Sequence, residues 1–322
     1  MENTITADKK NLEGVKRRGV RRSSVSIYFK KNIHYYILLL VPALYFIIFR
    51  YGPIIGNVLA FRRYVPGGSI YGESWVGLKF FRLFLRDPNF WAAFKNTWLL
   101  SFYHLLITVP LAIVFALLVN EIKSVKLRNA VQTISYFPNF ISIVVVVGMM
   151  KELLSPTYGL INKALELVGL PSVFFMNEPG WFRTLYISSE VWQYTGWNSI
   201  IFFAAITAID PHLYEAAGVD GAGRMKQIFH VTLPQMMPTI AVVYILSLGQ
   251  LMNVAFEKIL LMYTPSNSQV SDVIETFVYR MGLESSNYSY ATAVGLFSGI
   301  LGLIIVITAN YLSKKVTRYS LY

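Results

Sequence analysis

Long apolar runs separated by short polar stretches set the pattern of this chain. A helix needs about 20 apolar residues to cross about 30 Å of hydrocarbon. Six runs approach that length: 35–49 extended past Arg50 and Pro53 towards Phe61, then 97–119, 130–150, 185–209, 236–254 and 290–312. In lipid these must be helices, because open strands would leave backbone N–H and C=O groups unpaired. The third run carries Pro138-Asn139 inside it, the fourth has Glu190 near its start, and the sixth has no charge at all. The pattern predicts an all-α membrane protein with six transmembrane helices, covering residues 34–322 behind a basic tail, 1–33.

The stretches between the runs carry their own signals. KFFRLFLRDPNFWAAFK, Lys79 to Lys95, mixes aromatic rings with cations and reads as an interfacial helix interrupted at Asp87-Pro88. GLINKALELVGLPSVFF reads as a short helix stopped by Gly169 and Pro171, and Val270 to Arg280 as another. The loops that hold these two helices either receive an outside partner or cap the span ends. Gly295 and Gly299 form a small-xxx-small pattern that favours close helix packing.

Composition narrows the class. Apolar residues make up 55% and charged residues 14%, against about 25% charged in a soluble domain. The mean hydropathy is +0.48. There is no cysteine, and the four histidines are scattered without ligand spacing, so neither a disulfide framework nor a metal site is expected. The net charge of +12 does not point to nucleic acid, because nine of the 29 Lys and Arg precede residue 32 and the rest flank apolar runs. Seventeen of these cations fall in the tail and the even-numbered connections and eleven in the odd-numbered ones. The positive-inside rule then puts both termini and the 210–238 loop in the cytoplasm. No cleavable leader is expected, since no small-residue cleavage site follows an early apolar core. The tail, KRRGVRR and then KK, reads as a cytoplasmic flank, either disordered or lying on anionic lipid.

The stretch DPHLYEAAGVDGAGRMKQIFHVTLPQMMP, Asp210 to Pro238, is the sharpest local signal. Asp210-Pro211 is a helix start. Gly218 is the expected left-handed stop and Asp220 the cap of a second helix, Met225 to Val231, closed by Pro234 and Pro238. Two alanines and three glycines make a small-residue knuckle that another backbone can approach, with Glu215 as the fixed charge. Glu215-Ala216-Ala217, Gly221 and Leu233-Pro234, at these spacings, resemble the EAA loop of permease subunits in binding-protein-dependent ABC importers. Val231 stands where that pattern has isoleucine. SYFPNFIS, WQYTGWNSIIF, FEKILLMY and YSYATAVGLF extend the likeness over about residues 34–322. The likeness lies with the oligosaccharide branch, the maltose-permease-like family, and within it with bacterial alginate importers.

The resemblance implies a MetI-like six-helix bundle with a cytoplasmic coupling helix over Pro211–Ala217. Glu215, Ala216, Ala217, Gly218, Asp220 and Gly221 are then the contact with an ATPase. It also implies a second, similar permease as heterodimer partner, two ATPase subunits inside, a solute-binding protein outside, and a bacterial inner-membrane setting. ATP and Mg would sit on the ATPase subunits and no cofactor on this chain, which has no GxxxxGK[ST] phosphate loop. The chain itself is then not an enzyme.

Polar side chains inside spans face a bundle interior or a wet cavity. Gln193 and Trp197 share one helical face, and Tyr194 and Asn198 the neighbouring face. Gln250, Asn253 and Glu257 lie at i, i+3 and i+7, with Ser247 at the edge. Amides pair with hydroxyls and aromatic faces cover the C–H face of a pyranose, so Gln193, Tyr194, Trp197, Asn198, Gln250 and Asn253 are candidates for a sugar path. The plainer reading is glue between helices. Lys258 and Arg280 read as ordinary loop charge or as an attraction for an acidic sugar. His104 and Pro110 read as a buried hydrogen-bonding group and a kink. An ion-gradient-driven secondary sugar transporter is the rival, but it favours inverted repeats and in-membrane carboxylates, and only Glu190 qualifies. A membrane-embedded enzyme would need a converging nucleophile, acid–base pair or metal set, and none is present.

Overall fold

The structure is a computed structural model that describes residues 28, 30–252 and 254–317. The chain divides into two units, Met1–Gly56 and Asn57–Tyr322. Most of the 1–33 tail lies outside the described residues. The first unit holds α1 (Ile33–Phe46), with Pro42 inside it, and a π turn over Ile47–Tyr51. A 3-10 run, Gly52–Phe61, follows.

The second unit is helical apart from a two-residue hairpin, Arg62–Arg63 against Ser74–Trp75. Its elements are α2 (Lys79–Phe84), α3 (Pro88–Asn120), α4 (Val125–Tyr136), α5 (Ile143–Leu153), α6 (Leu160–Leu167) and α7 (Pro179–Thr207). There follow α8 (Pro211–Val219), α9 (Arg224–Gln227), α10 (Leu233–Gly249), α11 (Phe256–Met262), α12 (Ser268–Ser271), α13 (Ile274–Tyr279) and α14 (Tyr288–Thr317). Among the described residues four helices are long and apolar enough to span a membrane, or up to six if each bent pair counts as one.

The bends explain the difference from an even six. The third expected run breaks at Phe137–Phe140, where Pro138 opens a 3-10 turn, and α4 and α5 meet at 96°. Proline lacks the N–H that would continue the ladder, and Ser142 restarts it by accepting from Val145 N at 3.4 Å. The fifth run begins earlier than predicted. α9, a π turn over Ile228–Thr232 and α10 form one rod from Arg224 to Gly249. Pro234 follows directly on the π turn, in the first turn of α10. Pro238 is carried inside, so neither proline closes a helix.

The 79–95 stretch is interrupted at Asp87-Pro88, as the sequence predicts, with α2 before the break and α3 after it, and it buries one face while the other stays exposed. Asp87 caps α3 by accepting from Asn89 N at 2.9 Å, and from Pro88 the chain runs unbroken to Asn120. Phe84 and Phe90 are fully buried and pack with Phe277, Tyr290 and Phe297. Tyr290 Oη donates to Asp87 Oδ2 at 2.9 Å, joining α14 to the start of α3.

The 156–181 and 257–289 loops are each tied down by a buried amide. Asn162 Nδ2 donates to three carbonyls, those of Leu154, Ser155 and Val173, and its Oδ1 accepts from Val173 N at 2.8 Å. Asn267 does the same for its loop, reaching Met176 O and Met262 O. A buried amide satisfied on every side fixes the backbone around it. Gly169 takes φ 78° and ends α6 as expected. The predicted 270–280 helix breaks into α12 and α13 at Asp272, whose carboxylate binds Arg280, with Nη1 to Oδ1 at 2.9 Å. Arg280 is therefore a structural ion-pair partner and not loose loop charge.

Two close helix contacts stand out. A Cβ on Gly196 of α7 would lie 2.1 Å from the Ser135 carbonyl oxygen of α4, and one on Gly249 would lie 3.0 Å from Val306 of α14. Gly295 and Gly299, in contrast, have open space where a Cβ would go.

Candidate functional site

Two regions carry the sequence-predicted residues. The first is a chamber of about 810 Å³ between α3, α7 and α10. Tyr194, Trp197 and Asn198 of α7 line it, together with Ser247 and Gln250 from the end of α10. Trp197 stands edge-on against Phe140 at 5.5 Å. Gln193 is not in the wall. It is buried, and its Nε2 donates to Ile141 O at 3.0 Å, which occupies the carbonyl freed by the break before α5. Its face of α7 points at a neighbouring helix, so the plainer reading holds for that residue. Asn253 lies outside the described residues.

The expected 250–257 stripe is not a helical face, because α10 ends at Gly249 and α11 begins at Phe256. The chain between is stitched to α3, with Ser101 Oγ donating to Leu251 O at 2.5 Å.

What the residue pattern missed is the charge at the chamber wall. Glu190 and His104 both line it. Lys258 is fully buried and donates to Glu190 Oε1 at 2.6 Å, while His104 Nδ1 stands 3.5 Å from Glu190 Oε2. The ammonium also lies 5.5 Å from the Tyr186 ring and 5.9 Å from the Tyr194 ring, within cation–π range. Lys258 was expected among loop charges. It is instead held inside, because α11 folds back against α5 and α13. No local signal reveals that, since the pair is 68 residues apart. A carboxylate in an apolar run was the one available hint, since such a group needs a partner.

The second region is the knuckle. Asp210 accepts from His212 N at 3.0 Å and Pro211 opens α8. The axis bends by 68° between α7 and α8. Gly218 stays helical, and the left-handed residue is Gly221, at φ 73°. Ala222 N donates to Ala217 O at 2.9 Å and Gly221 N to Gly218 O at 3.0 Å, the two bonds of a Schellman stop. Asp220 is the C-cap of α8, and Gly223 precedes α9, so Asp220 starts no helix. No residue of α8 is buried. Glu215 Oε2 lies 3.2 Å from His212 Nδ1 in the open. Apolar side chains stay uncovered around them: Leu213, Val219 at 89% exposure, Met225 and Phe229. Arg224 Nε binds Glu121 Oε2 at 2.8 Å, and Tyr214 Oη meets Thr232 Oγ1 at 3.0 Å, so the knuckle is tied to the ends of α3 and α10.

Among the described residues no group of three or more histidines and carboxylates is arranged to hold a metal ion.

A helical bundle with broken spans, a largely apolar chamber carrying a few polar groups, and an exposed capped helix beyond α7 fits a permease of the ABC importer type. The chain belongs to the family of binding-protein-dependent transport system inner membrane components, which residues 90–318 match. It is 40% identical over 302 residues to the polygalacturonan/rhamnogalacturonan transport system permease protein YteP of Bacillus subtilis, covering 94% of each chain. It is 28% identical to the arabinooligosaccharides transport system permease protein AraP of the same organism, covering 90% of each.

Among solved structures it resembles a chain of a bacterial alginate ABC transporter in complex with alginate pentasaccharide-bound periplasmic protein. The identity is 42% and the TM-score 0.84, covering 91% of this chain and 98% of that one. A second crystal structure, of a bacterial ABC transporter involved in the import of the acidic polysaccharide alginate, matches at 41% identity and a TM-score of 0.85. The protein is thus a membrane permease of an ABC sugar importer, and such a subunit is not itself catalytic.

Proposed function

We propose that the chain is one half of an ATP-driven pore that brings an oligosaccharide into the cell, with α8 as the helix that receives the force. The observation that supports this best is the exposed, backbone-capped knuckle. Its uncovered Leu213, Val219 and Met225 are the surface a partner would cover. Glu215, Ala216, Ala217, Gly218, Asp220 and Gly221 are the contact residues in this reading. ATP and Mg belong to two separate ATPase subunits, and this chain carries no cofactor of its own. The remaining partners are a second, homologous permease and an extracytoplasmic solute-binding protein. The setting is the inner membrane, with both termini and the 210–238 loop cytoplasmic and residues 34–322 as the permease domain.

The path runs through the chamber, with Tyr194, Trp197, Asn198 and Gln250 at its wall. The substrate class is an oligosaccharide, and an acidic, alginate-like one is favoured by the two similar alginate transporters and the uronate polymer in the name of the Bacillus relative. Closing of the ATPases would push α8 and tilt α7 and α10, which flank it.

Glu215→Lys is expected to lower sugar-dependent ATP hydrolysis by the reconstituted complex about tenfold while the chain still inserts in the membrane. Unchanged hydrolysis, with an ATPase subunit still co-purifying, would remove α8 from the coupling.

A further inference from the structure

The geometry points to a hydroxyl-reading subsite, Glu190 with His104, that turns sugar carboxylates away from this half of the path. It rests on the reading of the chamber as an oligosaccharide path and deepens it. Glu190 lines the chamber, whereas Lys258, its ion partner, is fully buried behind it and is absent from the wall. The pair is therefore a fixed dipole with its negative end towards the substrate space. Lys258 anchors the carboxylate from behind, with Nζ donating to Oε1 at 2.6 Å.

A carboxylate has about four acceptor positions. Lys258 takes one, and the His104 ring stands near a second at 3.5 Å. The remaining capacity suits O–H donors, which sugars present in vicinal pairs. His104 is 37% exposed and adds a ring nitrogen to the same patch. The other polar wall residues, Asn198, Ser247 and Gln250, are neutral.

The described wall residues include no lysine or arginine, and the cation paired with Glu190, Lys258, lies behind the wall. A uronate carboxylate brought against this wall would meet the carboxylate end of the pair, which opposes a like charge. The inference follows that an acidic chain passes with its hydroxyl face on Glu190 and its carboxylates turned away, towards the other half of the pore.

The test uses the whole complex in proteoliposomes with its binding protein. The probes are the galacturonate tetramer and the alginate tetramer, each as free acid and as full methyl ester, at saturating concentration. The readout is the ratio of acid-stimulated to ester-stimulated ATP hydrolysis. The Glu190→Gln/Lys258→Met double variant keeps the shape and removes both charges together, which avoids stranding a buried lysine. It is expected to raise that ratio at least fivefold over wild type. His104→Gln is expected to lower the response to both forms and leave the ratio within twofold. A ratio unchanged in the double variant overturns the inference while leaving the sugar importer standing. A wild-type complex that hydrolyses ATP at the same rate with and without every probe overturns the sugar reading of the chamber, and this inference falls with it.

Discussion

The chamber end of α7 and its continuation into α8 are held together by opposite means. Around Glu190 the structure depends on side chains that meet across long stretches of sequence: Lys258, His104 and the Tyr186 and Tyr194 rings. Around Gly221 it depends on backbone bonds within six residues, and the side chains face outward. One region is locked from within, where a buried charge cannot be left alone. The other is shaped but not filled, and its apolar side chains await a cover.

Removing one member of the buried pair should produce the largest effect. Lys258→Met leaves Glu190 charged and buried, at a cost of about 3–5 kcal/mol, seen as a large drop in the thermal unfolding temperature of the purified complex. Adding Glu190→Gln should restore most of it. If the single variant unfolds like wild type, the lock is not where the distances place it.

The knuckle should respond the other way. Gly221→Val forces a β-branched residue to φ 73° and costs about 1–2 kcal/mol locally. The unfolding temperature should barely move, while sugar-stimulated ATP hydrolysis falls steeply. A fall in stability without a fall in coupling would reverse the contrast.

The smallest effect concerns the 257–289 loop. Burial pushes the Glu275 carboxyl up from 4.5 to about 7. The fold thus favours the protonated form. That stability is complete below the ordinary value and is lost as pH rises through about 7. The group is partly exposed, so the change is modest. Between pH 5 and pH 8 the wild type should lose roughly 1–3 °C more than Glu275→Gln. Equal pH profiles would mean that the carboxyl titrates in water.

The same contrast decides how much was legible beforehand. The knuckle is a local object: Asp210-Pro211 as a start, glycine as a stop and small residues between are all short-range signals. Even there, the stop was off by three residues. Three glycines were available, and only the backbone bonds to Ala217 and Gly218 pick Gly221.

The spans were legible because lipid forbids anything but helix. Their breaks were only half legible, since Pro138 kinks its run whereas Pro234 and Pro238 do not. The chamber divides the candidates by helical face, which a spacing argument orients only once the neighbouring helix is known. Gln193 and Tyr194 are adjacent, yet one holds a carbonyl and the other lines the space. The partnership of Glu190 and Lys258 depends on how α11 folds back, and nothing in either local segment encodes it.

At Gly196 two rods touch with no side chain between them. Such a joint works as a dovetail: neither piece slides without lifting the other off its seat. A tilt of α7 would therefore be passed to α4 and, through the right-angled elbow beyond it, turned into a sideways sweep of α5.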